Sequence, residues 1–345
     1  MLNVECLLFE FTSNFCVNLR YLRETKKTMK LIIRNSTNPY FNIAAEEHFL
    51  KNYDDDIIMF WQSSHSVIIG KHQNTMAEVD INFINKNKIP VIRRISGGGT
   101  VYHDYGNINY TIIRSLENRE KLVDFVEFTK PIIIFLSSLG LKAVYEGKNN
   151  LTINGKKFSG NSAHVFKNRI LNHGTILFNT NLDNLEAAIS PLNYKIKDKS
   201  VRSIRANVAN IAPQLPQSIS IDVFMEKLIN YYKNYFNIEL ISQISDIDTV
   251  KITELVETKY KLWDWNYGYS PSYSFNNEYN GNTLSMKIKK GVITNISLNC
   301  DVLYDIQISS SLLNKKYDHD AIKEILSKYD LNTKVFNAYL VLFGI

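Results

Sequence analysis

Residues 91–113 read VIRRISGGGTVYHDYGNINYTII, and the chemistry on offer there is anion binding. Gly97, Gly98 and Gly99 carry no β-carbon, so the backbone can take positive φ and come close to a ligand. Successive amide N–H groups can then form a nest for an anion. Arg93 and Arg94 stand just before the glycines. Alternation along a strand sends them to opposite faces, and one can reach a phosphate with its bidentate fork. His103 and Asp104 follow, within reach of the same pocket. The plainer reading is a tight glycine turn with surface arginines. The spacing is neither a P-loop, which needs Gly-Lys-Ser/Thr, nor a dinucleotide fingerprint.

A second chemistry-bearing stretch is NNLTINGKKFSGNSAHVFKNRILNHGTILF, residues 149–178. Asn154-Gly155 is a strong hairpin signal, and Lys156 and Lys157 come directly after it. On a strand one lysine faces solvent while its neighbour points inward. A buried ammonium can hold a carbonyl oxygen and a phosphate oxygen as charge develops. The plainer reading is two solvated lysines at a hairpin tip. Taken singly, His164 and His173 read as structural.

The elements that must position these residues can be read along the chain. FNIAAEEHFLK reads as a helix with Asn42 as its N-cap. IIMFW and SVIIG read as a strand pair, and VIRRI and NYTIIR as strands on either side of the glycine loop. Residues 121–139 form an apolar helix ending at Gly140, which Pro131 should kink or divide. HGTILFN is a further strand, and residues 222–236 a tyrosine-rich helix. Beyond about residue 250 the pattern changes: a helix over 251–262, the aromatic run LWDWNYGYSPSYSF, then two strands joined at Lys290-Gly291. The fold class is therefore α/β, a mixed-sheet domain with a small C-terminal α/β unit.

The 345 residues suffice for such a pair of units. A net charge of +6 suits an acidic protein or an anionic ligand and lacks the dense basic stripe of a nucleic-acid binder. Three cysteines build no disulfide framework, and no Cys/His spacing suggests a metal site. The apolar runs are too short to span a bilayer, so no membrane partner is expected. Residues 1–29 hold Arg20, Arg23, Lys26 and Lys27, which partly resembles a mitochondrial presequence despite Glu5, Glu10 and Glu24.

RRISGGGTVYHDYGNINYTII, KKFSGNSAHVFKNRILNHGTILF and WDWNYGYSPSYSF occur in this order. Together they resemble the lipoate–protein ligase and lipoyltransferase family, most closely its animal mitochondrial lipoyltransferases, from about residue 30 to 310. The resemblance implies a biotin/lipoate ligase-like catalytic domain over 30–250 and an accessory domain over 251–345. It implies that Arg94, Ser96, Gly97, Gly98, Gly99, His103 and Asn107 wrap the activated lipoyl group. Lys157 would be the essential lysine between carboxyl and phosphate. Ser159, Gly160 and Ala163 would wall the acyl chain, with His173, Gly174 and Thr175 behind the adenylate.

Departures from the family pattern shape the expected activity. Asn149-Asn150 replaces the usual Asn-Asp, Asn172-His173-Gly174 the bacterial His-His-Gly, and SVRSIRANVANI only loosely matches the loop that covers the adenylate. The leading expectation is a mitochondrial-matrix lipoyltransferase. It would move a lipoyl group from lipoyl-AMP or lipoylated glycine-cleavage H protein to a lysine of E2 lipoyl domains. The alternative is an ATP-dependent lipoate–protein ligase, with ATP and magnesium needed only in that case and no tightly bound cofactor or metal. A non-catalytic binding protein that kept the fold is a reading from another class. A biotin ligase is disfavoured by the arginines before Ser-Gly-Gly-Gly.

Overall fold

The computed structural model describes residues 29–116, 123–190, 195–239, 241–300 and 303–345. The presequence-like stretch up to residue 28 lies outside them. The largest sheet has eight strands in the order β12 (Ile241–Ser242), β1 (Met29–Ile33), β2 (Asp56–Trp61), β6 (Asn107–Ser115), β10 (Arg169–Leu177), β9 (Lys156–Phe166), β8 (Asn150–Ile153) and β7 (Val144–Glu146). β1 is parallel to β12 and β2, and the other neighbours are antiparallel, so the sheet is mixed.

Both faces of this sheet are covered, which is why β2 is apolar beyond Asp56 and β6 is buried from Asn107 through Ile113. Ile58, Phe60, Ile108, Tyr110 and Ile112 pack on one side against Phe128, Ile132, Phe224, Leu228 and Tyr232 from helices Phe125–Ser138 and Ile221–Tyr235. Ile57, Met59, Trp61 and Ile113 pack on the other against Ile43, Phe49 and Leu50 of helix Pro39–Asn52 and Ile252 of helix Asp246–Leu255. Among the described residues no helix is long and apolar enough to cross a membrane.

Two smaller sheets share a second core. β3 (Ser66–Ile69) is flanked by β4 (Val91–Arg93) and β5 (Val101–His103), and the glycine loop joins those outer strands. The antiparallel sheet β11 (Lys195–Asp198), β13 (Tyr273–Tyr279), β14 (Asn282–Lys289), β15 (Val292–Asn299) carries helices Asp305–Leu312 and Thr333–Phe343, with His319–Leu326 packed against both. Val67, Ile69, Val91 and Tyr102 join Phe275, Met286, Ile322 and Leu342 in one cluster. The C-terminal sheet thus takes one strand from well before residue 250 and packs on the loop-bearing sheet.

Several expected details differ. Helix Pro39–Asn52 is capped by Asn38, whose side chain accepts from the Phe41 amide at 3.2 Å. Pro39 suits the first helical position because its missing N–H would have had no partner. Asn42, the expected cap, is buried inside the helix and donates to the Ser36 and Gln62 carbonyls. IIMFW and SVIIG are not paired: β2 lies between β1 and β6, and β3 heads another sheet. Both runs are buried on both faces, so neither has an alternation that would select its partner. VIRRI and NYTIIR are strands on either side of the glycine loop as read, with the short β5 added between the loop and β6. Pro131 does not divide its helix, because Phe128, Ile132, Phe135 and Leu136 on either side of it are all buried. The helix expected over 251–262 runs instead over Asp246–Leu255 from the Ser245 cap, and a wider turn, Val256–Tyr260, follows. Both hairpin turns are as read, with positive φ at Asn154-Gly155 and Lys290-Gly291.

Candidate active site

The glycine loop rests on a chain of buried side chains. Arg94 donates through Nη2 to the Gly97 and Gly99 carbonyls at 2.5 and 2.7 Å, and through Nη1 to Ile68 O at 3.0 Å. Its Nε donates to Ser96 Oγ at 3.0 Å. Ser96 Oγ lies 2.6 Å from His173 Nε2, and His173 Nδ1 lies 3.0 Å from both Glu46 oxygens. An ionised Glu46 only accepts, so Nδ1 carries a proton, and in the neutral ring Nε2 accepts from Ser96. Burial alone would raise the Glu46 carboxyl. The His173 ring, the Thr111 hydroxyl at 2.5 Å and Arg34 more than offset it, leaving it below its ordinary value.

Both arginines of the motif are committed to backbone carbonyls, which corrects the expectation of a free phosphate fork. Arg93 is fully buried and donates to the carbonyls of Gly70, Lys71, Gln73, Trp265 and Asn266 and to Ser270 Oγ. It thereby ties the aromatic run WDWNYG to the turn that follows β3. Burial lowers the two guanidiniums to about 10, and each remains charged at neutral pH.

Beside the loop opens a cavity of about 620 Å³ lined by Lys157, Ser159, Gly160, Thr175, Thr100, Glu78 and the segment 202–208, among others. That volume suits a ligand of nucleotide or drug size. The hairpin sets Lys157 second on β9, so it points into the cavity while Lys156 is exposed. Gly160 makes room for it: a β-carbon there would stand 3.0 Å from the Lys157 ammonium. Burial, then the Arg94 charge, lowers the Lys157 pKa. Gly98 needs its glycine, with φ at +84° and a β-carbon position 3.1 Å from Arg94 Nη2.

Of the residues named from sequence, Lys157, Ser159, Gly160 and Thr175 line the cavity together. Arg94, Ser96, His173 and Gly97–Gly99 form the adjoining loop and its support. Gly174 leaves space for Asn161 and the Tyr110 hydroxyl, either of which a β-carbon would strike. Ala163 is half-buried opposite Asn172, away from the cavity wall. Asn107 is buried and donates to Asn109. His103 is buried edge-on to Trp61 and holds no hydrogen bond among the described residues. Burial, then Arg94, presses it down to about 3, so it is neutral.

Sequence reasoning missed Glu46, Glu78 and Gly70. Glu46 sits in AAEEHFL, where acids look like a solvated helix face, yet it is 1 % exposed. Glu78 accepts from the Ser203 amide and hydroxyl and from Thr100 Oγ1. Burial raises its pKa, and these hydrogen bonds only partly offset the rise. A β-carbon at Gly70 would stand 2.1 Å from Gly98 O, so the loop can seat only on a glycine. Arg202, Arg205 and Asn207, given no firm role from sequence, all line the cavity. Asn150, where an acid was expected, pairs across from Gly160. Among the described residues no three His, Cys, Asp or Glu side chains are grouped to hold a metal ion.

Comparison with known proteins agrees with this geometry. Residues 38–233 match the family described as the lipoyl protein ligase A/B catalytic domain, and 273–340 the bacterial lipoate protein ligase C-terminus. The second match corrects the expectation that similarity fades near residue 310. Lipoate–protein ligase 1 of Staphylococcus aureus is 36 % identical over 313 residues, covering 88 % of this chain and 95 % of that one. A bi-partite archaeal lipoate protein ligase from Thermoplasma acidophilum, studied with its E2 lipoyl domain, aligns with a TM-score of 0.61 and 26 % identity, covering 70 % of this chain and 97 % of that chain. A lipoate–protein ligase A solved with ATP gives 0.61 and 27 %, over 70 % and 99 %. The catalytic part thus has the expected biotin/lipoate ligase-like fold, with a small C-terminal α/β domain. The mitochondrial expectation is overturned: curated relatives come from Bacillus subtilis, Staphylococcus aureus and Mycoplasma pneumoniae, bacteria that have no such organelle. The specific likeness to animal lipoyltransferases gives way to this bacterial type.

Proposed function

The chain belongs to the lipoate–protein ligase family, and from that premise we propose that it joins lipoate to a protein lysine in two half-reactions with ATP. This reverses the order of the two readings, placing the ATP-dependent ligase ahead of transfer alone. In the first half-reaction a lipoate carboxylate oxygen attacks the α-phosphorus of ATP, and pyrophosphate leaves. In the second, a lysine ε-amine attacks the acyl carbon. The bond from carbon to the phosphate oxygen breaks, AMP departs with the electron pair, and the amine loses a proton.

The observation that carries this reading is Lys157, set at the cavity wall against Gly160 and lowered in pKa by burial and then by the Arg94 charge. An ammonium there can hold an acyl carbonyl oxygen and a phosphate oxygen as negative charge grows on both. The Gly97–Gly99 amides and the exposed Arg202 and Arg205 supply further donors for phosphate oxygens. No covalent nucleophile is required, because the site needs only to orient the two reactants and exclude water. Magnesium enters as the counter-ion of ATP, a substrate rather than a resident metal.

The acceptors in this reading are lipoyl domains of E2 subunits and the glycine-cleavage H protein, and residues 30–250 carry the catalysis. Lipoate-dependent exchange of labelled pyrophosphate into ATP tests it. Exchange by the purified chain is expected. A chain that lipoylates an acceptor only from ready-made lipoyl adenylate, with no exchange, would restore the transferase reading that Asn149-Asn150 favours.

A further inference from the structure

One strongly charged surface stands outside the site. β9 runs from Lys157 in the cavity to the β9–β10 turn, and its far half carries cationic neighbours. Ser162 donates to Gly97 O at 2.8 Å, so that face of the strand abuts the glycine loop. His164, two residues on, shares the face, and the charges of Lys71, Lys51 and Lys259 all bear on it. Lys71 follows Gly70 beneath the loop, and its amide donates to Ser96 O at 2.8 Å. Further along, Phe166 has Lys51 at 5.4 Å and Lys167 at 5.3 Å from its ring centre. Lys259 lies 4.1 Å from the Trp265 ring.

The carboxylates around this strip do not neutralise it. Glu47 pairs with both Lys51 and Lys259 at 2.6 and 2.7 Å, one negative charge against two positive ones. The Asp54–Asp56 turn lies past the far end, where Arg169 and Lys30 meet it. Lys71 and Lys167 have no carboxylate partner among the described ion pairs. Lys51 and Lys167 are exposed, and Lys71 is half-exposed. The Phe166 and Trp265 rings lie within cation–π reach of the Lys51, Lys167 and Lys259 ammoniums, which favours keeping positive charge at those three positions.

We propose that the strip of Lys51, Lys71, Lys167 and Lys259 is the docking surface for an acidic face of the acceptor protein. It borders the glycine loop, so a partner seated on it stands beside the site where its lysine must arrive. The proposal rests on the ligase reading for its choice of partner. Fixed positive charge of this kind steers encounter and weakens as salt screens it, over roughly 8–10 Å at physiological ionic strength.

Calorimetry of the full chain with an E2 lipoyl domain, at low and moderate salt, tests it together with pyrophosphate exchange. In the double variant Lys51→Gln, Lys167→Glu the affinity for the lipoyl domain is expected to fall about tenfold or more at low salt. Its salt dependence should flatten, and exchange should be unchanged. Parent-like affinity and salt dependence in the double variant would overturn the proposal. So would loss of exchange in step with binding, or weakened binding of duplex DNA with the lipoyl domain unaffected. Absence of exchange in the parent would count against the ligase reading alone, because the binding comparison still reports on the strip.

Discussion

The glycine loop is held from two sides by opposite means. Beneath it, Arg94, Ser96, His173 and Glu46 form an unbroken chain of buried side chains that ends at Thr111 on the central strand β6. Above it, the segment 201–207 touches down mainly through Ser203, which meets Glu78 and accepts from the Thr100 amide at 2.8 Å. Arg202 reaches the Ala77 carbonyl and Asp198 at 3.2 Å, and Asn207 O accepts from the Lys157 amide at 2.8 Å, but between these ties Ile204 is 91 % exposed and Arg205 is exposed. The floor therefore fixes the loop's geometry before any ligand arrives. The strap is held by surface-side bonds rather than by a buried chain, so it is the less firmly fixed of the two.

The sharpest break lies where floor and cavity meet. Lys157→Met should lower exchange and transfer by more than about a hundredfold with the fold intact, since it removes the donor aimed at developing charge. Steady-state rates beside a melting curve check this, and near-normal turnover by a folded variant would remove Lys157 from the chemistry. Next comes the floor itself. Glu46→Gln puts an amide against His173 Nδ1 and favours the other tautomer, so Ser96 loses its acceptor. A cost of tenfold or more in rate is expected, with destabilisation of roughly 3–5 kcal/mol if the pair behaves as a broken buried ion pair. Nitrogen chemical shifts of His173 would report the tautomer directly.

Gly98→Val should weaken binding of lipoyl adenylate in calorimetry. A β-carbon would crowd Arg94, and positive φ costs a branched residue about 1–2 kcal/mol. Intact binding with a large fall in melting point would return the loop to a mere turn. Ser203→Ala unties the strap from Glu78 and from the Thr100 amide: adenylate affinity should drop a few-fold, with only a small fall in melting point.

The two carboxylates extend the comparison to pH with opposite signs. Glu46 is depressed, so its stabilisation is present above its unfolded value near 4.5 and is lost as pH falls below that through its folded value. Glu78 is raised, so the folded chain keeps a proton that the unfolded chain has released, and stability falls as pH rises from about 4.5 through its folded value. Denaturant midpoints across pH 3–7 should therefore lose part of their acid limb in Glu46→Gln and part of the upper decline in Glu78→Gln.

How much of this the sequence disclosed follows the same division. Gly97–Gly99, Asn154-Gly155 and the Lys-x-Ser-Gly spacing were legible because local backbone chemistry dictates them: positive φ at Gly98, Asn154 and Gly155, and clearance for an ammonium at Gly160. The floor was not legible, because Glu46, Ser96 and His173 meet only through tertiary contacts that no spacing encodes. Nor was the reach of Arg93 into residues 265–270, which depends on how the C-terminal elements pack. Strand partners failed for a related reason. β2 and β3 are apolar on both faces, and such runs state that they are buried without stating against what.

Lipoate-dependent pyrophosphate exchange, run side by side in the parent, Ser203→Ala and Lys157→Met, tests the account most directly. The account predicts exchange in the parent, slower but measurable exchange when the strap is loosened, and none above background when Lys157 is lost. Full exchange without Lys157, or its complete loss with Ser203 alone, would contradict the division between a floor with Lys157 that performs the chemistry and a strap that only covers it.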